Sequence, residues 1–425
     1  MKRPNQIAIV GAGISGMATA YFLSDYSNVE IYLIEAGRAG IGSQDILSGT
    51  AGPYLPALSK MISTGFIPHY NPKITTPTLE GFIELHGLRN TDAYFEACKE
   101  GKVLLKSICE TVSPQAFKQD GGLYIACSPE DVSIIDHEMQ ACAELFGKWE
   151  KSLQISSKVI QQNFKLPAFI QDGHFLSQDA IVSSNQIIDG LKKYLKKRDN
   201  VFVLENTRLK EVNIRSQKVF LETEHEVFDV DYIILATAGF YKDHNLIKAI
   251  GGNIWSFILS YPDTGPATPN VNILASRTKP GNRIDPLLDN GIYLTRQQGV
   301  LAIGGQDQMV TQGNFGCPNK QNQSIRNIAE LYNRFFAIPG ELPVQPIYTH
   351  YGVYSYSQDG LPILGKFNKG DRVFYLSLCN GVGHGLLALG ASLIPYILGL
   401  SSASDKEDTF IRLFSPQRDS LQGCS

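Results

Sequence analysis

The residues best suited to chemistry stand at the start of the chain. Gly11, Gly13 and Gly16 form Gly-x-Gly-x-x-Gly between the β-branched run Ile7 to Val10 and a helical stretch, Met17 to Leu23. In that setting the first glycine permits a tight turn, the second lets a pyrophosphate approach the backbone, and the third lets helix and strand pack closely. Ile14 and Ser15 fall at the helix N-terminus, where backbone N–H groups and the helix dipole favour phosphate. A second β-rich run, Val29 to Ile34, ends in Glu35 and Ala36. A carboxylate there can hold both ribose hydroxyls, and it repels a 2′-phosphate. Strand, glycine turn, helix, strand and acid in register specify a βαβ unit for a dinucleotide and argue against NADP. Whether the dinucleotide is FAD or NAD stays open on these residues.

Two later segments bear on that choice. Tyr232 to Gly239 is a strand ending in Ala236-Thr237-Ala238-Gly239; it is either a turn running beside the dinucleotide or an ordinary buried strand with its turn. Further on, Asp359-Gly360-Leu361-Pro362-Ile363-Leu364-Gly365 precedes the strand Val373 to Leu378, and Gly383-His384-Gly385 with Leu386 opens a helix. A glycine-rich turn opening a late helix aims backbone N–H groups and the helix dipole at an anion. Reduced flavin, charged along its N1–C2=O edge, is such an anion. An NAD dehydrogenase has no need of a second glycine–helix site so far down the chain, which favours FAD.

The elements that position these residues alternate along 425 residues, enough for two or three domain-sized units or one large enzyme with an inserted lobe. Helical patterns cover Thr91 to Thr111, Pro129 to Phe146, Ser184 to Lys197 and Gln323 to Phe336. Strands are expected at Gly122 to Cys127, Val201 to Leu204, Val212 to Ile214, Lys218 to Thr223 and Tyr232 to Ala236. Gly251 to Gln306 alternates like an antiparallel sheet, with turns at Asn290-Gly291 and Gln298-Gly299. The implied plan is a nucleotide-binding lobe assembled from both ends of the chain, with a second lobe inserted twice. The expected boundaries are 1–60, 172–245 and 350–425 for a discontinuous FAD-binding domain, and 61–171 and 246–349 for a substrate-binding domain.

Composition excludes several classes. With 38 Lys+Arg against 41 Asp+Glu the net charge is −3, which sets up no field to attract nucleic acid or an anionic membrane. The seven cysteines form no C-x-x-C pair and the histidines no H-x-x-x-H pair, which disfavours a disulfide scaffold or a structural metal site. The first apolar run is broken by glycines too early for a signal peptide. The longest apolar stretch, Gly385 to Leu400, is too short to span a bilayer and reads as a buried helix. A cytoplasmic protein is expected, and peripheral membrane contact stays open.

Taken in order, Gly11-x-Gly13-x-x-Gly16, Glu35, Gly42-Ser43, Gly121-Gly122-Leu123, Ala236-Thr237-Ala238-Gly239, Ala302-Ile303-Gly304-Gly305, Asp359-Gly360-Leu361-Pro362 and Gly383-His384-Gly385 make the chain resemble the D-amino acid oxidase-like family of FAD-dependent oxidoreductases. Glycine oxidase, sarcosine oxidase and D-amino acid dehydrogenase are members. The resemblance implies an α/β plus α+β fold. It comprises a Rossmann-like, glutathione-reductase-like FAD-binding lobe and an inserted substrate lobe on a mixed or antiparallel sheet. It also implies FAD held non-covalently by Gly11, Gly13, Ile14, Ser15, Gly16, Glu35, Ala36, Gly42, Ser43, Val212, Ala236, Ala238, Gly239, Gly360, Gly383, His384, Gly385 and Leu386. His384 would act through its ring or through the backbone of its turn. His69 and Cys379 resemble flavin-linking residues by type alone; a loop histidine and a small buried hydrophobe are the plainer readings.

The activity so implied is oxidation of a C–N bond in a small amine or amino acid by hydride transfer to flavin N5, with oxygen or a quinone as electron acceptor. Relatives with amino-acid substrates often carry an arginine before Asp-Gly-x-Pro that clamps the substrate carboxylate. Here that step reads Gly352-Val353-Tyr354, a departure that puts a plain α-amino acid in doubt. Arg296 offers a substitute clamp from another strand, or is a solvated turn arginine. Tyr354 and Tyr356 share one face of their strand and either line the substrate cavity or pack as core. Three rival readings stand beside this one. The first is oxidation of a carboxymethylaminomethyl group on a tRNA wobble uridine, loosely suggested by Ser48 to Pro56 and Phe414 to Arg418. The second is an FAD-binding protein with a decayed site, and the third a simple NAD dehydrogenase.

Overall fold

The computed structural model describes residues 4–37, 59–62, 79–119, 121–146, 153–166, 170–177, 179–215, 217–238, 251–263, 265–266, 268, 270–274, 292–297, 299–310, 318–336, 343–366, 368, 372–378, 380 and 383–422. Gln6–Val10, Glu30–Ile34, Tyr232–Leu235 and Val373–Ser377 are apolar at nearly every position. Such runs lack alternation because both faces of a parallel sheet are covered. With Val201–Leu204 and Ile363–Gly365 they make a six-stranded sheet. Its order is Ile363–Gly365, Val373–Ser377, Tyr232–Leu235, Gln6–Val10, Glu30–Ile34, Val201–Leu204. Every pair is parallel except the edge pair of Ile363–Gly365 with Val373–Ser377. Gln6–Val10 lies between the strand that follows it and one from much later in the chain. The carboxyl end of such a switch point is where open α/β sheets bind ligands.

The two faces of this sheet are covered differently. Ile7, Ile9, Ile31 and Leu33 pack under a helical layer that includes Met17, Leu105, Ile108, Leu191, Leu389 and Leu393. Ala8, Val10, Ile34, Ile233 and Leu235 pack on Leu209, Val219, Leu221 and Val230. The latter belong to a three-stranded antiparallel sheet of Leu209–Arg215, Lys218–Thr223 and Val227–Val230. In the helical layer, Leu88–Val112 crosses Gly383–Ile397 closely enough that a Cβ on Gly101 would lie 2.4 Å from the Gly385 carbonyl oxygen. Only glycine fits at that crossing.

The second sheet has eight strands in the order Tyr348–Ser357, Gly251–Pro262, Val300–Val310, Ile292–Gln297, Asn270–Leu274, Gly122–Ala126, Gly173–Leu176, Leu153–Ile155. It is mixed, since Asn270–Leu274 runs parallel to Gly122–Ala126 while the other pairs are antiparallel. Alternation puts Trp255, Phe257, Leu259 and Tyr261 on one face. There they pack with Leu294, Leu301, Ile303 and the helix Pro318–Phe335 through Ile328, Leu331 and Tyr332. The Tyr261 and Tyr332 rings stack with centroids 3.6 Å apart.

Three segments pair or pack across the expected boundaries. Gly173–Leu176 and Tyr348–Ser357 hydrogen-bond into the eight-stranded sheet, so each crosses a line drawn for the other lobe. The helices Leu79–His86 and Leu88–Val112, assigned to the substrate lobe, bury Phe82, Tyr94, Phe95 and Leu105 in the dinucleotide core. Contacts between elements distant in sequence, not composition, set these borders. Gly299, with φ +79°, makes the expected turn between Ile292–Gln297 and Val300–Val310, whereas Asn290-Gly291 lies outside the described residues. No helix among the described residues is long and apolar enough to cross a membrane.

Candidate FAD and substrate site

At the end of Gln6–Val10 the three glycines have separable reasons. Gly11 has φ +100°, and a Cβ there would lie 2.5 Å from the Ala236 carbonyl oxygen. A Cβ on Gly16 would lie 1.8 Å from the Gly11 carbonyl oxygen, so helix and turn touch through it. A Cβ on Gly13 would meet nothing within 4 Å. That open space beside the start of Ile14–Leu23 is what a backbone-bound pyrophosphate requires. Ser15 is buried in the first turn, and Thr19 Oγ1 donates to its carbonyl at 2.8 Å.

Glu35 is buried at the end of the second strand. Its Oε2 accepts the Ala12 N–H at 2.8 Å and its Oε1 the Gly37 N–H at 3.0 Å, so the carboxylate leans over the glycine turn. Its backbone and that of Gly37 are tied to Leu204–Thr207 by bonds of 2.7–2.9 Å, which fixes Ala36 between them. The buried Thr237 hydroxyl, beside Gly11, has no hydrogen-bond partner among the described residues. Open space at Gly13, a fixed carboxylate and an orphaned hydroxyl around one strand end fit the ADP half of FAD. Val212 lies in the neighbouring antiparallel sheet. It pairs with Leu221 in the antiparallel sheet and packs at the core beneath it.

The turns expected beside the flavin are held in left-handed backbone. Ala238, Leu378 and Asn380 have φ of +47°, +59° and +54°, an unusual conformation for leucine that persists only where the surroundings enforce it. Ser377 Oγ donates to the Ala238 carbonyl at 3.1 Å, joining the ends of two neighbouring strands. Asn380 reaches the other sheet: its N–H donates to the Ser355 carbonyl at 3.1 Å and its Oδ1 accepts the Ser357 N–H at 3.0 Å. Asn380 thus hooks the strand bearing Tyr354 and Tyr356 onto the dinucleotide lobe. Gly383, His384, Gly385 and Leu386 form the buried first turn of their helix. The His384 ring is turned to Ser184 Oγ, 2.7 Å from Nε2. Gly42, Ser43, His69, Gly239 and Cys379 lie outside the described residues.

Asp359 and Gly360, the latter with φ +80°, turn the chain beneath this joint. Asp359 is fully buried and gripped by Arg418, whose Nε and Nη2 donate to its two carboxylate oxygens at 2.5 and 2.6 Å. Ser420 adds a third bond at 2.6 Å, and His86 Nε2 lies 2.8 Å from the Asp359 carbonyl. Although burial opposes the charged form, the Arg418 charge and bonds hold the Asp359 pKa down to about 2. Arg418, in the segment that suggested a tRNA-modifying relative, is therefore a structural staple. In the basic cluster, Lys192 pairs with Glu205 at 2.5 Å and Arg198 with Asp25 at 3.0 Å.

The eight-stranded sheet turns its second face away from the apolar core. Tyr354 and Tyr356 share that face, as expected from their spacing, with Gly252 and Ser256 on the neighbouring strand. Tyr354 Oη donates to Asp307 Oδ2 at 2.9 Å. A Cβ on Gly252 would lie 2.5 Å from the Tyr356 ring, and one on Gly304 would lie 2.2 Å from the Tyr293 ring. Each ring therefore lies across a glycine. Arg296 matches neither reading offered for it. It is 4% exposed, paired with Asp263 Oδ1 at 2.8 Å, and donates through Nη1 to the Phe164 carbonyl at 2.7 Å. Those partners tie the hairpin end to the helix Ser157–Phe164, so Arg296 is not a free clamp for a substrate anion. Asp307, Tyr293, Ser256 and Asn380 escaped the sequence reading. The polar run Gln306-Asp307-Gln308 within the strand Val300–Val310 was the available signal for Asp307.

The comparisons agree with this geometry. The family profile described as "DAO: FAD dependent oxidoreductase" matches residues 6–394. No curated protein sequence matches the chain. Glycine oxidase from Geobacillus kaustophilus is similar at TM-score 0.71 and 15% identity, over 98% of this chain and 99% of that one. NikD, an amino acid oxidase of nikkomycin biosynthesis, is similar at TM-score 0.72 and 13% identity, over 99% and 98%. L-proline dehydrogenase from P. horikoshii is similar at 0.69 and 15%, over 97% and 98%. At these identities the solved structures speak for the fold alone, but the profile spans nearly the whole chain. The protein belongs to the DAO family of FAD-dependent oxidoreductases.

Proposed function

We propose that this FAD-dependent enzyme oxidises a C–N bond of a small amine or amino acid. The observation that carries the reading is the joint at Asn380, which fixes the tyrosine-bearing face of the substrate sheet to the flavin-side turns. FAD, bound without a covalent link, would supply the acceptor for a hydride from the carbon next to nitrogen, with the nitrogen lone pair forming the C=N bond, a proton released, and oxygen or a quinone as the final electron acceptor. The first turn of Ile14–Leu23 and the Glu35 carboxylate hold the ADP half. Ala238, Asn380 and the first turn of Gly383–Ile397 border the flavin half. The sheet face with Tyr354, Tyr356 and Tyr293 orients the amine and keeps water from it, and positioning accounts for most of the protein's share in such a reaction.

The test is an anaerobic titration of the FAD-loaded protein with glycine, sarcosine, D- and L-amino acids, proline, monoamines and polyamines, watching the flavin absorbance. Bleaching by a member of the panel is the expected result. A bound flavin that every member leaves oxidised, yet dithionite reduces, counts against this reading and favours a site without amine oxidation.

A further inference from the structure

We infer that Ser260 and Thr295 form an uncharged polar subsite on the second face of the eight-stranded sheet. The group it takes is a neutral hydrogen-bonding one, the carboxamide or hydroxyl of an amino amide or amino alcohol, in place of a carboxylate. The substrate class rests on the amine-oxidation reading above; the subsite itself rests on the sheet. Ala302 is in register with Ser260 on one side and with Thr295 on the other. Three side chains therefore stand abreast on three neighbouring strands. The two hydroxyl-bearing residues flank a single methyl group, their Cα atoms about 10 Å apart at the usual strand spacing. One step along the same face, Gly304 lies between Ile258 and Tyr293, and the Tyr293 ring lies across it. The row is four residues along Gly251–Pro262 from Ser256, roughly 13 Å at the rise of a strand. It is therefore separate from the contact of Tyr354 with Asp307.

Ser260 and Thr295 are 1% and 7% exposed, and neither hydroxyl has a hydrogen-bond partner among the described residues. Such burial keeps bulk water from supplying one. Alanine at 260 and valine at 295 would fill nearly the same space without the desolvation penalty. Two unsatisfied hydroxyls abreast call for a ligand that brings the missing bonds. The charge of that ligand follows from what the face offers. No lysine or arginine stands at a position that the registers place on this face in Tyr348–Ser357, Gly251–Pro262, Ile292–Gln297 or the first half of Val300–Val310. Arg296, next to Thr295, projects to the opposite face and is held by Asp263 and the Phe164 carbonyl. The one ionisable base at such a position in these strands is His350, opposite Ile258, and histidine is ordinarily neutral at pH 8. A carboxylate brought here is desolvated without a cation to pair it. A carboxamide or hydroxyl carries no such penalty, and it both donates and accepts, as serine and threonine do.

The experiment uses the FAD-loaded protein at pH 8 and two size-matched probes without an amine, butyramide and butyrate. Binding is read by ligand-observed NMR, which senses weak ligands. The expected result is saturable binding of butyramide and binding of butyrate at least about ten-fold weaker. Ser260→Ala and Thr295→Val should each weaken butyramide binding about two- to ten-fold, the range for one neutral hydrogen bond. Thr295→Ser, which keeps the hydroxyl, should retain it. Without butyramide, the denaturant midpoints of Ser260→Ala and Thr295→Val should equal or exceed that of wild type, since each change removes an unsatisfied group. In turnover, glycinamide and alaninamide should show a higher kcat/KM than glycine and alanine, and Thr295→Val should narrow that gap through KM. Butyrate binding as tightly as butyramide, or butyramide affinity unchanged in both variants, overturns the subsite. Midpoints lowered in both variants reveal partners for the hydroxyls within the protein and overturn it as well. Amino acids turned over as well as their amides overturn the substrate class while leaving amine oxidation standing. Butyramide binding with no amine reducing the flavin keeps the subsite and removes the oxidation reading instead.

Discussion

Arg418→Ala should be among the most destabilising single changes in the dinucleotide lobe. The Arg418 side chain makes five hydrogen bonds: two to the Asp359 carboxylate, and one each to the carbonyls of Leu361, Pro362 and Ser415 at 2.8, 2.9 and 3.1 Å. The Asp359 pKa in the fold is about 2 against the ordinary 3.8, a gap equivalent to about 2 kcal/mol favouring the charged form. A folded pKa below the unfolded one gives stability that is fully present above pH 3.8 and is lost as pH falls through 2. Removing Arg418 is worse than removing that increment, because a buried carboxylate is then left unpaired; such losses run to about 3–5 kcal/mol. Arg418→Lys keeps the charge but, with one ammonium for a planar fork, cannot reach all the acceptors, and should lose part of that stability. The assay is denaturant unfolding of the FAD-loaded protein at pH 7, repeated at descending pH beside Asp359→Asn. The gap between wild type and Asp359→Asn should narrow below pH 3.8. Buried His86, whose pKa is lowered mainly by desolvation and held up in part by the Asp359 charge, weakens the fold in a separate window below 6.5, and more so in Asp359→Asn, where that charge is gone. An Arg418→Ala protein within about 1 kcal/mol of wild type would refute the assignment of this pair as a staple.

The glycines at the dinucleotide turn should separate fold from cofactor. Gly16→Ala places a Cβ 1.8 Å from a backbone oxygen and should give little folded protein, whereas Gly13→Ala meets open space and should fold but purify with reduced FAD content, read from the visible spectrum. Gly101→Ala forces apart the helices Leu88–Val112 and Gly383–Ile397 and should cost about 1–3 kcal/mol in denaturant unfolding, in the range of other overpacked cores. Cys98 and Cys109, whose pKa values burial pushes up to about 12, should resist a thiol reagent at pH 8 in the native protein and react after denaturation, as mapped by mass spectrometry.

What was legible in the sequence is what local spacing controls. The glycine turn can be read because three residues within one turn of chain each meet a steric demand of their own, and the structure returns those demands as the close contacts at Gly11 and Gly16. The shared face of Tyr354 and Tyr356 follows from the period of a strand. Arg296 was misread because Asp263, its partner, follows the strand Gly251–Pro262, with Asn270–Leu274 between them in the chain, and is brought near only by sheet pairing. Asp359 and Arg418 are separated by 59 positions, and no periodicity links them. The same blindness moved the lobe boundaries: Gly101 is an unremarked helical glycine until Gly385 crosses it.

The tyrosine at position 354 follows the same logic. Its type alone reads as a loss, a phenol where a positive charge was expected, and that loss is the strongest argument for a decayed site. Its surroundings change the sign of the argument. Tyr354 Oη donates to Asp307 Oδ2 at 2.9 Å, on the face that Asn380 joins to the turns of the other sheet. On that face the Ser260 and Thr295 hydroxyls are buried with no hydrogen-bond partner among the described residues. Buried polar atoms left unsatisfied cost desolvation, and a merely decayed site has no reason to keep them, which argues for a face that still takes a polar ligand and for a change at 354 that alters which one.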